Sequence, residues 1–135
     1  MFLSVALAAT GITPASTTPS VVKEEALAPK VECVDKECIS NLITHYAKIY
    51  KVDPKYAIDI AKCESMLNPT AVGDGGLAYG VFQFHKPTFE MFAKKIGESL
   101  DYYKTEDNIK LAVWAFANDR EFHWTCARKL AAVNF

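Results

Sequence analysis

The chain has 135 residues, of which 50% are hydrophobic, 23% charged and 12% aromatic, and its net charge is −1. That is apolar material for one core, which excludes global disorder, a dinucleotide-binding enzyme of two domains and a TIM barrel. With 15 basic against 16 acidic side chains, no excess of positive charge would collect phosphates, and nucleic acid is not expected as a partner.

Residues 1–12 carry no charge. The run is about the length of a signal-peptide hydrophobic region and shorter than the ~20 residues of a membrane-spanning helix. Small residues follow in Thr13-Pro14-Ala15-Ser16, although no basic residue precedes the run. Export is the expectation. Residues 13–30 are rich in Thr, Pro, Ser and Ala, which is linker composition. Residues 1–31 are therefore read as a signal or anchor segment with a flexible linker, and 32–135 as the folded domain. No stable membrane span is expected after processing, and the protein is expected to be a monomer.

In the domain, Ile39, Leu42, Ile43, Tyr46, Ile49 and Tyr50 recur at helical spacing and predict a helix near 37–50. Asp53 suits an N-cap and Pro54 a first helical position, so a second helix is expected from 54 to about 67, before Asn68-Pro69. Residues 71–80 hold four glycines and predict an irregular loop or short hairpin, with any β-structure confined there. Its G-x-G-x-x-A string (73–78) lacks the βαβ surroundings of a nucleotide site. Pro87 opens a third helix with Phe89, Phe92, Ala93 and Ile96 on one face and Gly97 as its C-cap. A fourth helix is capped by Thr105 and striped by Ile109, Ala112, Val113 and Phe116. A last short helix uses Trp124, Ala127 and Ala131, and His123 and Trp124 read as packing residues at its start. The fold class is α+β, predominantly helical.

The four cysteines are Cys33, Cys38, Cys63 and Cys126. An even count behind an export signal suits disulfides, and three connectivities are open. Cys33 with Cys38 closes a small loop; Cys63 with Cys126 ties a central helix to the C-terminus, for roughly 4 kcal/mol on the chain-entropy model. Reduced core cysteines and a zinc site using His45, His85 or His123 are the competing readings, but the chain has no C-x2-C or H-x3-H pair. No metal and no cofactor is expected.

On the second helix the stripe Ala57, Ile60, Ala61 continues at Glu64. Periodicity thus places a carboxyl on an inward face, near a helix C-terminus. Both settings raise a carboxyl pKa, as a general acid requires. A Glu at the stripe edge, solvated or paired with Lys62 or Lys86, is the simpler alternative.

The surrounding residues weigh against that alternative. Cys63-Glu64-Ser65-Met66-Leu67-Asn68-Pro69 resembles the E-S-x-x-N-P segment of the lysozyme-like lytic transglycosylases, the SLT superfamily. Ala78-Tyr79-Gly80-Val81-Phe82-Gln83 resembles that family's A-x-G-L-M-Q stretch, Pro87-Thr88 a helix start common in it, and Asn108-Ile109 the N-I of a later core helix. The resemblance spans about residues 40–130. The family's A-Y-N segment has only a loose echo in Ala115-Phe116-Ala117-Asn118, whose Phe lacks the hydroxyl.

The resemblance implies a lysozyme-like domain with a cleft for a peptidoglycan strand, acting in the periplasm, the cell envelope or outside the cell. It implies cleavage between N-acetylmuramic acid and N-acetylglucosamine, with Glu64 as acid and then base and a 1,6-anhydro product. Ser65 would help order the site and Gln83 would contact substrate. Tyr79 is a candidate sugar-stacking or wall residue and, equally, a core packing residue. Asp74, the one acid of the glycine loop, is a candidate substrate contact or second carboxylate, and otherwise a turn residue. Lysozyme-type hydrolysis and a non-catalytic glycan-binding module are the alternatives.

Overall fold

In a computed structural model the described residues are Gly11 and 32–133. The expected export segment and linker lie, apart from Gly11, outside the described residues. The chain divides into two units, Met1–Lys30 and Val31–Phe135, and the second carries every helix and strand described.

Five helices and a small sheet follow in the order α1 (Lys36–Tyr50), α2 (Pro54–Ser65), β1 (Val72–Gly73), β2 (Ala78–Tyr79), β3 (Phe84–His85), α3 (Lys86–Ile96), α4 (Thr105–Ala117) and α5 (Thr125–Val133). Short 3-10 turns at Asp74–Gly76 and Glu121–His123 precede β2 and α5. The predominantly helical α+β class is the observed one. Strands β1, β2 and β3 pair antiparallel in chain order, with Val72 opposite Tyr79 and Tyr79 opposite Phe84. Strand β3 lies beyond Gly80, so β-structure is not confined to the glycine region.

The helix boundaries have local causes. Asp35 caps α1 by accepting from the Cys38 N–H at 2.8 Å, just behind the Cys33–Cys38 disulfide. Asp53 caps α2 by accepting from the Lys55 N–H at 3.0 Å, and Pro54 opens the helix. Gly97, at φ 74°, ends α3 and donates to the Ala93 carbonyl. Thr105 is the first residue of α4 and not its cap; the cap position is Lys104 and has no side-chain capping bond. Helix α2 stops at Ser65, because Met66 and Leu67 turn left-handed at φ 55° and 63°.

Helix α1 packs on α2 and α4, α2 on α5, and α3 on α4. The core between them holds Phe82, Phe84, Phe89 and Phe92 with Ile39, Ile43, Ile60, Ile109 and Leu111, all essentially inaccessible. Each such side chain contributes about 1.5–3 kcal/mol of burial. Two positions leave their predicted stripes: Ile49 on α1 and Ala131 on α5 are exposed.

The turn between β2 and β3 is fastened from inside. Asn108 of α4, 1% exposed, accepts from the Phe82 N–H at 3.0 Å and donates to the Tyr79 carbonyl at 3.1 Å. Trp124 donates its indole N–H to the Phe82 carbonyl at 2.7 Å, and Tyr102 its hydroxyl to the Phe84 carbonyl at 2.6 Å. Gly80 sits against the Asn108 amide at φ 86°, where a Cβ would come within 2.5 Å of Nδ2. The turn thus hangs on Asn108, Trp124, Tyr102 and, through the Val81 carbonyl, Ser65.

Candidate active site

Helix α2 ends with Glu64 on the wall of a cavity of about 550 Å³. The sheet and its turns supply Gly73, Asp74, Gln83, Phe84 and His85; the start of α5 supplies Thr125, Cys126 and Lys129, and Thr88, His123 and Trp124 complete the lining. The disulfide Cys63–Cys126 draws α5 onto the end of α2. Both disulfides follow the connectivity of neighbouring loop and distant helix, Cys33–Cys38 and Cys63–Cys126, and all four cysteines are paired.

Glu64 is half-buried, and its Oε1 accepts from the Cys126 N–H at 3.3 Å. Burial holds its carboxyl pKa above the ordinary value, and the negative charge of Asp74 raises it further; the Cys126 N–H and the Lys129 cation pull it back down. The alternative pairing with Lys62 or Lys86 is absent among the described contacts. The carboxyl meets the N-terminal turn of α5, whose free N–H groups favour an anion. Its environment therefore accommodates both the protonated and the charged form.

Asp74 is an exposed residue of the same lining, with Oδ2 2.7 Å from His85 Nε2. Its φ of 51° is the left-handed conformation that short polar side chains tolerate. Gln83, also left-handed at φ 50°, has both amide hydrogens engaged: Nε2 donates to the Ala71 and Gly80 carbonyls, each at 2.9 Å. Its Oε1 lies over Gly73, where a Cβ would stand 2.3 Å away. Glycine at 73 is thus what allows Gln83 to lie flat across the sheet.

Ser65 and Tyr79 do not line this cavity. The Ser65 hydroxyl donates to the Val81 carbonyl at 2.7 Å and accepts from the Asn68 N–H at 3.2 Å, tying the end of α2 to the β2–β3 turn. Tyr79 packs its ring against Tyr102 and Tyr103, with centroids 5.8 and 5.1 Å away. Trp124 is buried as a packing residue and also borders the cavity; His123, largely exposed, lines the cavity while its ring packs on Phe92 with centroids 5.2 Å apart, and that partial desolvation, with Arg120, lowers its pKa. Sequence reading did not single out Lys129, Thr88 or His85 as lining residues. For Lys129 a signal existed: it lies three residues after Cys126, on the helix face that the disulfide turns toward Glu64.

A helical domain with a small antiparallel sheet beside a cleft, and one half-buried acid at the end of a helix, belongs to the lysozyme-like class. Within that class, the family model of the Transglycosylase SLT domain matches residues 41–123, more than half of the chain. The chain belongs to that family, whose general activity is lytic-transglycosylase-type action on peptidoglycan. No curated protein matches the chain. Among the described residues no helix is long and apolar enough to cross a membrane. Action on the cell wall and two disulfides both point to an oxidising compartment outside the cytoplasm.

Proposed function

We propose that the protein is an exported murein lytic transglycosylase, with residues 1–31 as signal or anchor and linker and 32–135 as the catalytic unit. The observation that carries this reading is Glu64: a half-buried carboxyl with a raised pKa, in the family's E-S setting, on the wall of a cavity large enough for sugar rings. Burial and the Asp74 charge favour the protonated acid that the first step uses. Glu64 gives its proton to the glycosidic oxygen as the bond to the anomeric carbon breaks, through an oxocarbenium-like transition state. The carboxylate left behind is met by the Cys126 N–H and by Lys129. It then takes the proton of the sugar's own 6-hydroxyl as that oxygen closes on the anomeric carbon. The product is the 1,6-anhydro end, and Glu64 returns protonated without a water entering.

Gln83 contacts substrate through Oε1, its amide hydrogens being held by the backbone. Asp74 meets the strand from the sheet side of the lining. Ser65 and Tyr79 act indirectly, by holding the end of α2 and the sheet in place.

Lysozyme-type hydrolysis is the second reading, and it rests on Asp74, a second carboxylate lining the cavity that holds Glu64. Mass analysis of a peptidoglycan digest separates the readings. Anhydro ends, lighter by one water than hydrolytic fragments, support the transglycosylase. Reducing ends that disappear in Asp74→Asn support the hydrolase. A folded, oxidised protein that releases neither leaves the glycan-binding module.

A further inference from the structure

Cys63 immediately precedes Glu64, and Cys126 donates its backbone N–H to Glu64 Oε1 at 3.3 Å. These two cysteines are bonded to each other across a sequence separation of 63. One covalent bond therefore joins the neighbour of the acid to the acid's hydrogen-bond donor. Lys129, one turn further along α5, lines the cavity from the same helix. Besides the disulfide, α5 is held by the buried Ala127, by Leu130 packed on the core, and through the buried Trp124 just before it, while residues 131–133 are exposed. Cys126 is 7% exposed, whereas Cys63 is an exposed residue.

We propose that the Cys63–Cys126 disulfide is an oxidation-dependent positioning device for Glu64, which holds the Cys126 N–H and Lys129 at the carboxyl and releases both on reduction. The activity arm of this proposal rests on the function proposed above. Reduction is a two-electron exchange: a dithiol attacks at Cys63, the Sγ–Sγ bond breaks, two cysteine thiols form, and the dithiol is oxidised to its own disulfide. Four charged or titratable groups face Glu64 or share its cavity: Asp74 and His85 from the sheet side, His123 from the turn before α5, and Lys129 from α5. Of the two influences that lower its pKa, both come from α5. Their release leaves burial and Asp74 in control, so Glu64 titrates higher in the reduced chain.

The test uses the full chain with Cys33→Ser and Cys38→Ser, so that Cys63–Cys126 is the one reducible bond. Glu64 is titrated by carboxyl carbon NMR in the oxidised and reduced forms, with muropeptide release and far-UV circular dichroism measured alongside. Expected on reduction are retained helix signal, a Glu64 titration moved to higher pH, and at least about tenfold slower release, all restored by reoxidation. Cys63→Ala with Cys126→Ala reproduces the reduced state. An unchanged titration and rate overturns the proposal. So does a loss of activity that merely follows loss of helix signal in both the reduced and the doubly substituted chains, since the bond would then only stabilise the fold. If the oxidised chain cuts no peptidoglycan, the proposed function falls, while the Glu64 titration still decides the coupling.

Discussion

Replacing Gly80 by alanine tests how the β2–β3 turn beside the cavity is built. Gly80 sits at φ 86°, and an added Cβ would stand 2.5 Å from Asn108 Nδ2 and 2.9 Å from its Cγ. Two costs result. The left-handed backbone costs an L-residue about 1–2 kcal/mol. The Asn108 amide must also move, which strips the Phe82 N–H of its acceptor in a region with no access to water. An unsatisfied buried donor costs about 1–3 kcal/mol. The total is about 3 kcal/mol, a large share of the ~5–15 kcal/mol that holds a typical domain together. In thermal unfolding by circular dichroism this is a fall in Tm of roughly 10–20 °C. Gly75→Ala is the control: φ is 65°, but nothing lies within 4 Å of the added Cβ. It carries only the backbone cost, about a third to two-thirds of the Gly80 effect. Equal losses at the two positions would refute the role given to Asn108.

Three further outcomes follow from the site. The Glu64 pKa is raised in the folded state, so its contribution to stability is fully present below its unfolded pKa and is lost as pH rises through the folded one. Glu64→Gln should therefore unfold at a higher temperature than wild type at neutral pH, with the gap closing toward acid pH; a gap independent of pH contradicts the buried-acid reading. Asp74→Asn removes a charge that raises the Glu64 pKa, so the alkaline limb of the pH–rate profile should move to lower pH, and an unmoved limb would show that Asp74 does not act on Glu64. Trp124→Phe loses the indole N–H bonded to the Phe82 carbonyl, and should cost about 1–3 kcal/mol in chemical denaturation while leaving the Cys63–Cys126 bond intact, as a thiol count would show.

Much of the fold was legible because its signals are local. Asp53-Pro54 starts α2 and Gly97 ends α3 through capping chemistry that acts within one turn. The stripe of α3 follows helical period because one face packs on the core, whereas α4, between α1 and α3, buries Leu111 and Ala115 beyond its predicted stripe. The failures are tertiary. Strand β3 is two residues long, so Phe84 and His85 offer no alternation to read; their pairing comes from β2 beside them. Helix α2 ends early although Met66 and Leu67 are good helix formers, and Ser65 at that end is tied to Val81, sixteen residues on.

The site was legible at one residue and obscure around it. Periodicity alone put Glu64 on an inward face, and the E-S resemblance turned an odd carboxyl into a candidate acid. The partners that tune it, Asp74, Cys126 and Lys129, come from segments 10, 62 and 65 positions away. No local pattern links such residues, and only the Cys63–Cys126 bond marks their meeting in the sequence. Ser65 and Tyr79 illustrate the converse: motif neighbours that the fold turns toward the scaffold.

The central claim is that Glu64 carries the chemistry. The most direct measurement compares the rate of soluble muropeptide release from purified peptidoglycan by the oxidised wild-type chain and by Glu64→Gln, which keeps the side chain's shape and removes its proton. A positioned general acid–base contributes about 10²–10⁴-fold, so release by the variant should fall by at least about a hundredfold with the fold unchanged. Release within a few-fold of wild type would contradict the account and move the chemistry away from Glu64.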